Sequence, residues 1–192
     1  MPESRYKVWR TESETSVTDQ VPYNSIKYKT FNNVIETILC VAFRHKFIEQ
    51  VDSGDIFDVD LEKNTAFPYF HCITNNISTT QTSVKYSFQL LVMDLVEPSQ
   101  SNEQQVMSDT AQILLDIIAL FRNGGVTAPG PDGHNGIHEL PVYYTEEDFT
   151  LQPFTERFDA SVTGWSTEFS VIVDSPFSAC NIPLKDDLNC IQ

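Results

Sequence analysis

The sequence predicts an α+β fold: an antiparallel β-sheet with two amphipathic helices packed on one face. Three observations carry this reading. Apolar residues recur at helical spacing in two separate segments, 31–47 and 106–121. Residues 83–96 (SVKYSFQLLVMDLV) alternate at a period of two, as a strand does. Two further alternating runs flank Thr163-Gly164 and read as a hairpin.

Taken in order, residues 1–29 are mostly polar and have no sustained period. They read as an extended arm with a short strand around Ile26 and Tyr28. A helix is expected over 31–49. Phe31, Val34, Ile35, Ile38, Leu39, Ala42, Phe43 and Phe47 form its apolar face, and Thr30 stands at the N-cap. Residues 68–74 (PYFHCIT) read as a short strand apolar on both faces. In the next strand Val84, Tyr86, Phe88, Leu90 and Val92 share one face. The opposite face starts polar, then turns apolar at Leu91, Met93 and Leu95, so something must cover that end.

Pro98 ends the strand, and residues 101–104 (SNEQ) have the pattern of a capping box. The second helix is expected over 102–122. Val106, Thr110, Ile113, Leu114, Ile117, Ile118 and Phe121 form its buried stripe, and residues 114–121 are apolar nearly all round. Asn123-Gly124-Gly125 stops it. Residues 123–150 hold five of the seven glycines and read as a long loop. Phe154, Phe158, Ala160 and Val162 then face Trp165, Phe169, Val171 and Val173 across the hairpin. The domain reading is therefore an arm (1–29), a main domain (30–183) and a C-terminal tail (184–192).

Composition bounds the function. The chain has 192 residues, 41% of them apolar, with 13 Phe, 7 Tyr and 2 Trp, enough for a real core. A formal net charge of −15 repels phosphate backbones and anionic membranes. No run approaches the ~18 apolar residues of a membrane span. The first ten residues lack the apolar stretch of a signal peptide, so synthesis in a cytosol is expected. Of the four cysteines, Cys40 and Cys72 fall among apolar neighbours, and none of the four forms a C-x-x-C pair.

Signals for catalysis or metal binding are thin. His134 and His138 stand four apart beside Asp132 and Glu139, but Gly133 and Gly136 break any helix that would align them. The weak metal candidates are thus His134, His138 and Asp132. The acidic run Asp52, Asp55, Asp58, Asp60, Glu62 lacks the spacing of a calcium loop and reads as a solvated connector. His71 and Cys72 are adjacent on a strand and must point to opposite faces. No phosphate-binding glycine motif or nucleophile elbow is present. No cofactor and no enzymatic activity are expected.

The helix over 31–49, the strand KYSFQLLVMDLV with its tight passage through EPSQSNEQQV into a helix, the RFDASVTGWSTEFSVIV hairpin and the closing Cys180-Asn-Ile-Pro183 segment resemble tail-terminator, or tail-completion, proteins of tailed bacteriophages. The resemblance covers about residues 30–183 and is one of pattern and topology. It implies a virion neck protein whose copies form a ring, commonly a hexamer, capping the tail tube. The implied partners are the chain itself, the tail tube protein, a neck or connector protein, and the sheath protein if the tail is contractile. DNA would only pass through the lumen, where negative walls keep it from sticking. The implied location is the tail or neck of the virion, after synthesis in a bacterial host's cytoplasm.

A head-to-tail ring needs two different contact patches. Leu91, Met93 and Leu95 on the strand, and Leu115 and Leu120 on the second helix, are the expected subunit or partner interface. Two other readings stand beside this one. One is a different head-to-tail connector or minor tail protein. The other is a small metal-dependent enzyme built on His134, His138 and Asp132.

Overall fold

The computed structural model describes residues 30–55, 65–122, 143–146, 148–157 and 161–174. In order these form helix α1 (Phe31–Phe43), strands β1 (Gln50–Ser53), β2 (Tyr69–Thr79) and β3 (Ser83–Leu95), helix α2 (Glu103–Arg122), and strands β4 (Tyr144–Thr145), β5 (Leu151–Arg157) and β6 (Ser161–Asp174). The strands make one six-stranded sheet in the order β1-β2-β3-β6, with β4 and β5 both pairing to β6. Both helices contribute to the same apolar cluster, so the α+β fold with sheet and helices is as expected. The sheet is mixed: β1 runs parallel to β2, and every other pair is antiparallel.

The main core lies between the helices and one sheet face. Val84, Tyr86, Phe88, Leu90 and Val92 of β3 point into it, as their alternation requires. Phe70 and Cys72 of β2 and Phe169, Val171 and Val173 of β6 join them. From above come Val34, Ile38 and Ala42 of α1 and Ile113, Leu114, Ile117, Ile118 and Phe121 of α2. The α2 stripe is the expected one, Val106 and Thr110 included. Thr110 is tolerated because its hydroxyl donates to the Val106 carbonyl at 2.7 Å.

Several boundaries differ from expectation, each for a local reason. The first helix stops at Phe43 rather than near Glu49. A tight turn follows, with the His45 N–H on the Ala42 carbonyl, and returns Ile48 to the core so that β1 can line up with β2. Thr30 takes the extended backbone of an N-cap, but its side chain makes no capping bond. The expected capping box does not form either. The Ser101 hydroxyl donates to Glu97 Oε2 at 2.6 Å, and Asn102 holds the corner by accepting the Glu97 N–H at 2.8 Å.

β2 runs on to Thr79, beyond the apolar stretch that marked it, because Asn76, Ile77, Ser78 and Thr79 keep pairing with β3 after a bulge. β1 takes Asp52 out of the expected acidic connector and into a strand. Asp55 follows just beyond it, while Asp58, Asp60 and Glu62 lie outside the described residues. The described part of the expected 123–150 loop contains β4 and the buried Tyr143. The hairpin turn is also displaced. Arg157 pairs with Ser161, so Thr163 and Gly164 lie within β6 rather than at a turn.

Candidate assembly surface

The sheet face opposite the helices carries a second, smaller core. Tyr69, Leu91, Met93 and Val162 are buried there, and Phe67, Ile73 and Phe154 pack around them. Of the five expected interface residues, Leu91 and Met93 are therefore enclosed within the chain. The physical reason is that Tyr69, Val162 and Phe154 bring their own apolar bulk onto the same face. Leu95, at the end of that row, stays 45% exposed.

A hydrogen-bonded polar wall closes this small core on the β1 side. Tyr69 and His71 are two apart on β2, so they share a face, and their rings stack with centroids 5.9 Å apart. The Tyr69 hydroxyl lies 3.0 Å from His71 Nδ1 and donates to Asp52 Oδ2 at 3.4 Å. Gln50 Nε2 donates to the same carboxylate oxygen at 2.8 Å, and Gln50 Oε1 accepts the Ala66 N–H at 2.9 Å. Burial, followed by the nearby Asp52 charge and its hydrogen bond, raises the Tyr69 hydroxyl above its ordinary pKa. The wall fastens the short parallel strand to β2. Cys72 points the other way, into the main core, so it forms no couple with His71. The signal for this network was present in the sequence, as an aromatic and an imidazole at strand spacing.

The open apolar surface is elsewhere. Among the described residues, four of the seven exposed large apolar side chains lie on the two helices and the turn after α1. Phe43 is 72% exposed and Phe47 61%; Leu115 is 46% and Leu120 44% exposed on α2. The two groups meet where His45 Nε2 sits 3.4 Å from Asp116 Oδ2. Gln112, Asp116 and Leu120 follow one another at helical i, i+4 spacing, and Gln112 Nε2 donates to Asp116 Oδ1 at 2.7 Å. Leu115 and Leu120 are thus open, as an interface needs. Leu114, Ile117, Ile118 and Phe121 fill the core between them.

Phe47 falls on the expected apolar face only in a helix carried six residues past α1, whereas Phe43, the last residue of α1, is exposed within the helix itself. Their flanks held the contrary signal. In the run Phe43-Arg44-His45-Lys46-Phe47, Arg44 and Lys46 need water, so the aromatics beside them are drawn to the surface. The Lys46 ammonium lies 5.8 Å from the Phe47 ring centre, a cation–π contact.

Among the described residues, no three or more His, Cys, Asp or Glu side chains are grouped to hold a metal ion. The metal candidates His134, His138 and Asp132 lie outside the described residues, as do Cys180 and Cys190. No described helix is long and apolar enough to cross a membrane. No protein-family model matches the chain, and no curated protein matches it.

Proposed function

We propose that the chain is a virion structural protein, a tail terminator whose copies join in a ring that caps a phage tail tube and links it to the neck. Its role is mechanical: it binds other proteins and turns over no substrate. The observation that supports this best is the exposed apolar surface of Phe43, Phe47, Leu115 and Leu120. The His45–Asp116 contact brings the turn that carries Phe47 against the exposed side of α2, and exposed apolar groups gathered in one region mark protein contacts. The strand–corner–helix passage that carries the resemblance is present as β3, the Glu97–Asn102 corner and α2.

The test is direct. Purified chain, alone and mixed with the tail tube protein of the same phage, is imaged by negative-stain electron microscopy. Rings, or a distinct cap at one end of each tube, are the expected result. Tubes that keep growing past an unbound chain would overturn the reading. In the virion, the protein should map between tail tube and head; a position at the distal tip would indicate a different tail protein.

A further inference from the structure

We infer that the cationic aromatic knob Phe43–Phe47 of one copy docks on the acidic corner between β3 and α2 of a second copy, around Leu95, Glu97 and Glu103. This rests on the reading of the chain as a ring-forming protein and names the two surfaces that would meet.

The knob is unusual in so acidic a chain. Phe43 and Phe47 stand open, with Arg44 and Lys46 exposed between them. Among the described residues, neither cation is in an ion pair. Lys85, by contrast, is bound to Glu146, and Arg122 lies over the Phe149 ring.

The corner is its opposite in charge and its like in polarity. Leu95 is exposed there beside Glu97. The Ser101 and Ser99 hydroxyls both donate to Glu97 Oε2, at 2.6 and 3.4 Å, so the carboxylate is held in place. Glu103 opens α2, and Asp94, one residue before Leu95, lies near enough to Asp109 to feel its charge. Burial and then the Asp109 charge hold the Asp94 proton more tightly than usual, only partly offset by the Leu95 backbone N–H. Among the described residues no cation is paired with any of these four carboxylates.

Placement favours a second copy as the occupant. The knob leads into β1, where the Glu49 N–H bonds the Pro68 carbonyl beside Tyr69. The corner leaves β3 on the β6 side, where the Val96 N–H bonds the Ser161 carbonyl. Tyr69 pairs with Met93, and Leu95 with Val162, so both patches lie at the same end of the sheet, the knob at its β1 edge and the corner at the end of the central strand β3. A contact between two different patches repeats from copy to copy, and a ring results where its rotation closes. At net charge −15 two copies repel overall, and opposite charges at this contact select its orientation.

Sedimentation velocity of the full chain, with two charge-reversed variants, tests this. Arg44→Glu with Lys46→Glu inverts the knob; Glu97→Lys with Glu103→Lys inverts the corner. Each variant alone should self-associate at least about tenfold more weakly than the wild type, because like charges then face each other. Mixed in equal amounts, the two should assemble again, since each inverted knob meets an inverted corner. Wild-type assembly that neither variant weakens, or a mixture that stays as weak as its parts, would overturn the inference while leaving the ring reading intact. A wild-type chain that forms no ring, alone or on a tube, removes the reading itself.

Discussion

Gly164 faces Met93 across the β3–β6 ladder so closely that a Cβ at Gly164 would lie 2.0 Å from the Val92 carbonyl oxygen and 2.8 Å from Met93 Cα. The obstruction is backbone, which cannot swing aside as a side chain can. Gly164→Ala should therefore destabilise the chain by on the order of 3 kcal/mol, the upper range for overpacking. Urea unfolding measures it. A loss below about 0.5 kcal/mol, the range of ordinary surface changes, would mean that the strands sit farther apart.

Leu114 and Leu115 are neighbours with opposite surroundings, one fully buried and one 46% exposed. Leu114→Asp puts an unpaired carboxylate in the main core and should cost roughly 3–5 kcal/mol. Leu115→Asp should stay within about 0.5 kcal/mol in the isolated chain. Similar losses for both would show that α2 is rotated from the phase described.

The Trp165 indole N–H donates to the Met107 carbonyl at 2.8 Å, pinning the start of α2 to β6. Trp165→Phe removes the donor and should cost about 1 kcal/mol, the usual worth of one such bond. Amide exchange should then quicken in the first turns of α2 and remain slow at Ile117 and Ile118. Uniform quickening along the helix would argue against a local pin.

Burial pushes the Cys72 thiol from its ordinary 9.0 up to about 12. The sign follows from where the proton is held. Below pH 9 both folded and unfolded chains keep it, so the stabilisation is complete. Above pH 9 the unfolded chain releases it first, and stability falls by up to ~1.4 kcal/mol per pH unit until the folded thiol titrates near 12. Tyr69, raised from 10.0, adds a fall of the same sign beginning one pH unit higher. Cys72→Ala should flatten the decline that begins near pH 9, whatever it costs at neutral pH. An unaltered alkaline profile would remove Cys72 as its cause. The exposed Cys40 should meanwhile react with a thiol reagent in the native state, and Cys72 only on unfolding.

Much of the fold was legible where one face of an element is buried. Val84 to Val92 and Ile113 to Phe121 carry their periods openly, and both elements lie where those periods put them. What escaped was structure held by partners rather than by pattern. Gln50, Val51, Asp52 and Ser53 have no strand signature; they pair because Tyr69 and its neighbours offer an edge. Asn76 and Ser78 are poor strand formers extended by β3. Gly164 looked like a turn because glycine has two uses, and only the approach of Val92 reveals the second. In the candidate surface, Leu115 and Leu120 were legible as apolar positions left over once the α2 stripe is assigned. Phe47 was not, since a helix carried past Phe43 turns it inward, and neither was Phe43, which continues the helical period yet stands outside the buried Val34, Ile38 and Ala42 stripe at the end of α1.

The central pair of the sheet, β3 and β6, joins segments far apart in the chain, and it is paired along the full length of β3. During synthesis β2 and β3 leave the ribosome as a hairpin long before residues 161–174 are made. Until then one flank of β3 has no strand beside it, and the apolar row from Val84 to Val92 is only partly roofed. The nascent chain is at its stickiest in that interval, and a chaperone acting on it would find its target on β3 rather than at either end.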